Sequence, residues 1–250
     1  AGAGGEEPCQ ASEAEALMLR PPLRADGSWP APTLAEVEAL AREPQGVPVV
    51  DAAHLPSLDR SKPVRLRGLT GGWQASRWDR EGFLAQFGEQ KFRLRPCETL
   101  HEYGYPGPAD THVSLRDYFS DASAHPGGVL FENDFHAAHR SFASCYTVPK
   151  LLADVHGKPI FSLGREHTGV GFHRHSENWL AQLQGRKVWF LIPTGASQPP
   201  VLPPWWYLQE RPRGLLCCVL EPGEILYVPG FWWHATWNLD AFTLALGWEA

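Results

Sequence analysis

Long apolar runs and clusters of basic residues are both missing from this chain of 250 residues. No stretch approaches the roughly 18 consecutive apolar residues that mark a membrane-spanning helix, and no signal peptide is visible. The net charge of −6, without any run of Lys and Arg, argues against a surface that binds nucleic acid. The sequence therefore predicts neither a membrane span nor a nucleic-acid partner.

Methionine and cysteine are scarce. Met18 is the single methionine and the chain starts at Ala1, so we expect a fragment or a processed form from which a leader could have been removed. The five cysteines are odd in number and form no CxxC pair, which fits neither a zinc ribbon nor a disulfide framework. Cys217 and Cys218 are adjacent in a predicted strand, and we expect buried thiols there.

Tryptophan and proline, in contrast, are abundant, with 11 and 23 copies. Many prolines favour strand edges and turns over long helices. The length suits one large all-β domain with helical additions. Residues 1–32, rich in Ala, Gly, Glu and Pro, are predicted to form a flexible arm.

The remaining chain is predicted to contain a support region over residues 33–125 and a barrel core over 126–250. In the support region we expect helices after a Thr33–Glu36 capping box, at 76–87 and at 114–120, with strands at 63–68 and 91–95 and a proline-rich connection at 47–61. Short strands separated by turn residues predict a barrel or jelly roll in the core. The predicted core strands are 129–131, 159–163, 171–175, 179–184, 187–192, 215–220, 225–228, 234–239 and 242–246.

The segment 171–189 carries the first candidate metal ligands. His173 and His175 are two residues apart, so on a strand both side chains leave the same face, and Arg174 leaves the other. Glu177 continues that face if the strand persists. Two imidazoles on one face can reach the same cation.

A third candidate ligand, His234, follows two turns in the segment 221–238. A barrel can bring strands that are distant in sequence together, and three ligands on one side of an octahedral ion leave open positions for substrate and oxygen. The pair His136 and His139 is a weaker candidate. The other histidines are interpreted as surface or core residues: His54, His101, His112, His125, His156 and His167.

Both segments resemble the JmjC family of 2-oxoglutarate-dependent oxygenases, whose members carry a strand of the form FHxD, an Asn, GxKxW, and later PGD, P and WWH. Upstream, 62–69, 73–88 and 113–119 resemble the N-terminal region of the family, so that the resemblance covers about three-quarters of the chain. The matching residues are Phe172, His173, Asn178, Gly185, Lys187, Trp189, Pro193, Pro222, Gly223, Pro229, Trp232, Trp233 and His234.

The resemblance implies a double-stranded β-helix of the cupin type, Fe(II) or another divalent metal, and 2-oxoglutarate. It implies that His173 and His234 bind the metal and that Lys187 pairs with the distal carboxylate of 2-oxoglutarate, for which a flexible ammonium is suited. It places Asn178 in the cosubstrate pocket. Judged by residue type alone, Lys187 could instead be a surface lysine and Asn178 a turn residue.

The chain departs from the family pattern at two positions. His175 replaces the carboxylate ligand, and three neutral imidazoles suit zinc, copper and nickel as well as iron. A three-histidine site, a site that Glu177 completes, and a two-histidine or empty site all stay open. Val170 stands where the family often has a threonine that helps to hold the cosubstrate, and Thr168 is a nearby substitute.

Three functions are consistent with these residues. The first is a dioxygenase, most similar to small JmjC proteins that hydroxylate proteins or peptides. The second is a non-catalytic binding or scaffold protein, for which the aromatic segment 203–208 offers a surface. The third is a cupin that uses another metal. The resemblance implies the endoplasmic reticulum lumen, with the cytoplasm as the alternative, and the substrate and oligomeric state stay open.

Overall fold

The computed structural model describes residues 32–42, 46–95, 111–121, 128–133, 135–197, 199 and 205–250. Nearly all of the predicted arm lies outside these residues, as do the predicted boundary between support region and core, Cys9, Cys97, His101, His125 and the first two residues of segment 203–208. No helix in the described part of the chain is long and apolar enough to cross a membrane.

The described residues contain thirteen strands and five α-helices. The helices are α1 (Leu34–Arg42), α2 (Arg80–Phe87), α3 (Leu115–Ser120), α4 (Phe135–Ala138) and α5 (Trp206–Glu210). The strands are β1 (Val49–Asp51), β2 (Val64–Arg67), β3 (Lys91–Arg95), β4 (His112–Ser114), β5 (Val129–Asn133), β6 (Lys158–Gly164), β7 (Gly169–His173), β8 (Asn178–Gln184), β9 (Lys187–Ile192), β10 (Leu216–Leu220), β11 (Ile225–Val228), β12 (Trp233–Asn238) and β13 (Thr243–Glu249).

The strands form two facing sheets. One sheet has the order β10-β9-β12-β7, and the other has the order β1-β2-β11-β8-β13-β6-β5-β3-β4. The last eight strands contribute four strands to each sheet, so that the chain passes repeatedly between the two. This connectivity is that of a jelly roll. The predicted mainly-β, double-stranded β-helix with a few flanking helices is therefore confirmed.

Alternation along the strands separates three apolar layers. Leu180, Trp189 and Leu226 belong to the layer between the two sheets. The outer face of the four-stranded sheet packs against α1 and α5. The outer face of the larger sheet packs against the N-terminal elements, including α2 and α3. The barrel is thus supported on both sides, which fixes the strand ends that carry the candidate ligands.

The support region differs from its prediction in three places. The predicted helix at 76–87 is wrong in its first turn, because a 3₁₀ turn (Gln74–Arg77) ends at Trp78 and α2 begins only after Asp79. The Asp79 carboxylate accepts a hydrogen bond from Gly82 N at 2.7 Å and so caps α2. Strands β1 and β4 were missed because each has three residues, too few to show alternation. The Thr33–Glu36 capping box is confirmed.

Candidate metal centre

Two neighbouring strands bring the three candidate histidines together. His173 is the last residue of β7 and pairs with His234 near the start of β12. The register of this pair shifts between His234 and Thr236, which is a bulge beside the site. His175 lies two residues beyond the end of β7. Its side chain therefore reaches the site from a loop, not from the strand that the spacing predicted.

The imidazoles form a compact group at this end of the barrel. The ligand atoms of His173, His175 and His234 all lie within 4.8 Å of one another, and among the described residues no other such group of His, Cys, Asp or Glu occurs. The Nε2 atoms of His175 and His234 are 3.1 Å apart. The ring centroids of His173 and His234 are 4.2 Å apart.

Backbone carbonyls fix the orientation of all three rings. The Nδ1 atoms of His173, His175 and His234 lie 2.8, 2.8 and 2.9 Å from the carbonyl oxygens of Gly171, Ser176 and Trp232. A carbonyl only accepts, so each Nδ1 carries the proton and each Nε2 keeps a lone pair. Two ligand atoms about 2.1 Å from one metal at right angles are about 3.0 Å apart, close to the observed Nε2 separation. The arrangement fits a metal bound through three Nε2 atoms.

Burial keeps two of the imidazoles, those of His173 and His234, neutral, as metal ligation requires. Desolvation lowers the pKa of His173 to about 4, against the opposing hydrogen bond to Gly171. Desolvation also lowers the pKa of His234 well below its usual range, and the neighbouring His173 and His175 contribute in the same direction. Near neutral pH both rings therefore offer a lone pair without first releasing a proton.

Glu177, the candidate substitute carboxylate, lies outside the histidine group. Both of its oxygens accept from the Arg60 guanidinium, at 3.0 and 3.1 Å, and one accepts from the Tyr227 hydroxyl at 2.7 Å. Arg60 also pairs with Asp154. The carboxylate that could complete a two-histidine site is thus engaged in a separate polar cluster.

Lys187, the candidate partner of 2-oxoglutarate, is fully buried at the start of β9. Its Nζ donates to Ser162 Oγ at 2.9 Å, and it forms no ion pair with any described residue. Burial lowers the pKa of this ammonium to about 7. A buried lysine without an anion is costly, so the position is suited to a carboxylate brought by a ligand. The reading of Lys187 as a surface lysine is wrong.

Asn178 and Thr168 have different surroundings. Asn178 is buried at the start of β8, and its Nδ2 lacks a hydrogen-bond acceptor among the described residues. Thr168 donates its hydroxyl proton to Arg165 O at 2.6 Å and accepts from Asn238 Nδ2 at 3.0 Å. The Thr168 hydroxyl therefore stabilises the turn between β6 and β7. A cosubstrate role for either residue stays a prediction.

Sequence reasoning missed a second hydroxyl. Thr236 is buried on β12 between His234 and Asn238, and its Oγ1 accepts from Val170 N at 3.3 Å. Alternation along β12 places Thr236 on the same face as His234. The barrel thus holds a threonine hydroxyl beside the position where the family pattern has threonine and this chain has Val170. The sequence could have indicated Thr236, because it lies two residues after the histidine of the WWH motif in a predicted strand.

Two further groups at the rim gave no sequence signal. Glu249, at the end of β13, places Oε1 3.8 Å from His175 Nδ1. Phe231 is the one large hydrophobic side chain among the described residues that is exposed, and it adopts a positive φ of 62°. Its N–H donates to the carbonyl of His175 at 2.7 Å. The loop before His234 is thereby tied to the loop that carries His175.

The weaker pair of histidines has other partners. His136 Nε2 lies 3.1 Å from the Tyr146 hydroxyl, whereas His139 stacks on Phe92 with ring centroids 4.0 Å apart. Neither belongs to a metal-binding group among the described residues. Cys217 and Cys218 are buried as predicted, and burial raises the pKa of each thiol to about 12.

Comparisons with known proteins agree with this geometry. A family model described as JmjC domain matches residues 155–250. JmjC domain-containing protein 8 of Mus musculus is 30% identical over 191 residues, covering 72% of this chain and 71% of that protein. The bifunctional arginine demethylase and lysyl-hydroxylase psr-1 of Caenorhabditis elegans is 25% identical over 232 residues, covering 74% of this chain and 54% of that protein.

A third relative is named for 2-oxoglutarate and iron. The 2-oxoglutarate and iron-dependent oxygenase JMJD4 of Gallus gallus is 23% identical over 219 residues, covering 69% of this chain and 51% of that protein. The mouse relative matches most of both chains, and the family model spans all eight strands of the barrel. This chain belongs to the family of JmjC domain-containing proteins.

Proposed function

We propose that this chain is a metal- and 2-oxoglutarate-dependent oxygenase that acts on proteins, with His173, His175 and His234 as the metal ligands. One observation carries the proposal. A single barrel holds three clustered histidine ligand atoms and a buried ammonium that has no anionic partner among the described residues. A cation at the first site and a dicarboxylate at the second would satisfy both.

The relatives support the same chemistry. JMJD4 is named for iron and 2-oxoglutarate, and psr-1 is named as an arginine demethylase and lysyl-hydroxylase. The first name specifies iron and 2-oxoglutarate, and the second specifies arginine and lysyl side chains as the targets. A protein or peptide substrate is therefore the partner that we propose for this chain.

Backbone carbonyls orient the ligands in this proposal. The carbonyls of Gly171, Ser176 and Trp232 hold the histidine protons at Nδ1 and so direct Nε2 towards the metal. Bound metal and 2-oxoglutarate would supply the activation of oxygen, which the protein cannot provide. The protein orients these groups and excludes water.

Lys187 lies four residues along β9 from Leu191, the residue that pairs with His234. At 3.2–3.4 Å per residue, the backbone positions are about 13 Å apart. Lys187 would therefore bind the end of 2-oxoglutarate that is remote from the metal. Asn178 Nδ2 and Trp189 Nε1 are buried donors without acceptors among the described residues, and they suit an anionic ligand.

A second candidate function follows from the ligand set itself. Three neutral imidazoles leave the full +2 charge on the ion, and imidazole binds zinc, copper and nickel as readily as iron. A barrel loaded with one of those ions would not start oxygenase chemistry. Such a protein would be a non-catalytic binding protein or a cupin with a different reaction.

The test is an anaerobic titration of the metal-free protein with Fe(II) and 2-oxoglutarate, followed by visible spectroscopy. We expect a weak charge-transfer band in the wild-type protein, which reports chelation of the keto acid by iron. His234→Ala should abolish the band, and His175→Asp should retain it. If only His175→Asp shows the band, the native site does not form the complex of iron and 2-oxoglutarate, and the second candidate is correct.

A further inference from the structure

A carboxylate stands beside the histidine that replaces the usual acidic ligand. Glu249 Oε1 lies 3.8 Å from His175 Nδ1, and the side chains of both residues are about one-fifth exposed. The other oxygen, Oε2, accepts a hydrogen bond from Asn133 Nδ2 at 3.0 Å. Asn133 on β5 thus fixes the orientation in which Oε1 faces the imidazole.

The backbone on either side holds Glu249 in place. Glu249 pairs with Asn178 on β8 and with Lys158 on β6, at the end of a strand with neighbours on both sides. The next residue, Ala250, donates its N–H to the carbonyl of Glu177 at 3.0 Å. The Glu249 carboxylate is therefore carried by the sheet and not by a loop.

His175 is the ligand for which an outer carboxylate matters most. Its Nδ1–H already donates to Ser176 O at 2.8 Å, so Glu249 acts on it through charge and not through the primary hydrogen bond. A carboxylate behind a metal-bound histidine makes the imidazole a stronger donor and offsets part of the charge of the ion. Half-buried groups are screened less than exposed groups, so the effect persists at moderate ionic strength.

The neighbouring carboxylate cannot take this role. Both oxygens of Glu177 accept from the Arg60 guanidinium, which balances the charge locally, and one also accepts from Tyr227. Glu249 differs because, among the described residues, the side chain that donates a hydrogen bond to it is the uncharged amide of Asn133. Its negative charge is therefore available to the metal centre.

We propose that Glu249 is a positioning residue of the three-histidine centre, supplying from outside the ligand set the negative charge that a carboxylate ligand supplies from within it. The inference rests on the proposed metal site. It explains how a site with three neutral ligands can hold a divalent ion in a protein that has a relative named for iron. It also predicts that the contributions of residues 249 and 175 depend on each other.

The test is a double-mutant cycle on metal affinity, which needs no substrate and no turnover. The full chain is stripped of metal and titrated with Co(II) and with Zn(II) by calorimetry, and the visible spectrum of Co(II) is recorded. The four proteins are wild type, Glu249→Gln, His175→Asp and the double variant. Glu166→Gln, which removes the same charge from the exposed turn before β7, is the matched control.

We expect Glu249→Gln to weaken Co(II) binding about 10- to 100-fold in the wild-type background, as found for outer-sphere partners of metal ligands. In the His175→Asp background the same change should leave affinity unchanged or raise it, because the ligand now carries the charge and Glu249 repels it. Glu166→Gln should have no effect. The Co(II) spectrum should shift with Glu249→Gln in the wild-type background.

The remaining outcomes separate the two proposals. Equal loss of affinity in both backgrounds would mean that Glu249 only supports the fold, and the inference would be wrong. Unchanged affinity on Glu249→Gln in the wild-type protein would also overturn it. If neither ion binds the wild-type protein more tightly than it binds His234→Ala, the proposed metal site fails first.

Discussion

His175 Nε2 and His234 Nε2 lie 3.1 Å apart, although the Nδ1 contacts of both rings leave a lone pair on each of these atoms. Two lone pairs at this distance repel each other unless a proton or a metal ion lies between them. Burial opposes the protonated form of His234, since its pKa is lowered well below the usual range. A metal ion bound by both Nε2 atoms, as proposed above, would relieve this repulsion without protonating His234.

Removing one ring should distinguish metal binding at the three-histidine site from metal binding by an exposed surface histidine. We expect His234→Ala to weaken Zn(II) binding by at least about 100-fold, because a buried Nε2 ligand is lost from a group of three. His156→Ala removes an exposed histidine and should leave affinity unchanged. Calorimetry on stripped protein and metal analysis of purified protein measure both. Equal affinity in the two variants would contradict the assignment.

The buried ammonium of Lys187 should appear as a pH dependence of stability. Its pKa is about 7 in the fold, against 10.5 for an ordinary lysine, because burial penalises the charged form. Between these values the unfolded chain binds more protons than the folded chain, so stability rises with pH by up to about 1.4 kcal/mol per pH unit. Below pH 7 both states are charged and the contribution is flat.

Urea denaturation of ligand-free protein between pH 7.5 and 8.5 measures this slope, because His173 and His234 titrate in the unfolded chain nearer pH 6.5. The range stays below the ordinary thiol pKa of 9, above which Cys217 and Cys218 titrate in the unfolded chain. Lys187→Met should remove the slope and raise stability at pH 7. A wild-type slope equal to that of Lys187→Met would show that the ammonium is not buried without an anion.

The barrel strands were predictable from sequence because each is short, rich in apolar residues and bounded by turn residues. All eight strands from β6 to β13 were expected within a few residues of their observed positions. The pairing of His173 with His234 was also within reach, since the two segments resembled one family pattern. Local alternation and motif spacing are properties of the chain itself, which is why they could be used.

Side-chain partners brought by distant elements were not predictable. Glu177 follows His175 by two residues, yet Arg60 and Tyr227 determine where its carboxylate goes. Glu249 reaches His175 only because β13 pairs with β8 along its length. Strand register across a jelly roll is set by which faces pack together, and the alternation within a single strand does not reveal its distant partner.

Glu177 should contribute to the free energy of unfolding but not to metal affinity. Glu177→Gln keeps the size of the side chain but removes the charge that accepts from Arg60 and Tyr227. We expect a loss of about 1–2 kcal/mol in the free energy of unfolding, since charge-assisted hydrogen bonds at a half-buried site become ordinary ones. Zn(II) affinity should change by less than about threefold. A large loss of affinity with unchanged stability would instead identify Glu177 as a ligand.

The left-handed backbone conformation of Phe231 should reduce stability, and glycine should relieve this strain. A φ of 62° is unfavourable by about 1–2 kcal/mol for a residue with Cβ, whereas glycine adopts it freely. Glycine also loses more backbone entropy on folding, which offsets part of the gain. We therefore expect Phe231→Gly to be more stable than Phe231→Ala by about 0.5–1 kcal/mol, and both to retain the N–H that bonds His175 O.

A helical position gives the opposite order and is the control. Gln86 is exposed in α2, where glycine should be less stable than alanine by about 0.5–1 kcal/mol. Urea denaturation of the four variants measures the two differences. The same sign at both positions would mean that residue 231 is not held in the left-handed region. Opposite signs would show that residue 231 holds a left-handed backbone at a cost in stability. Retained Zn(II) affinity in Phe231→Gly would show that metal binding does not require the exposed ring.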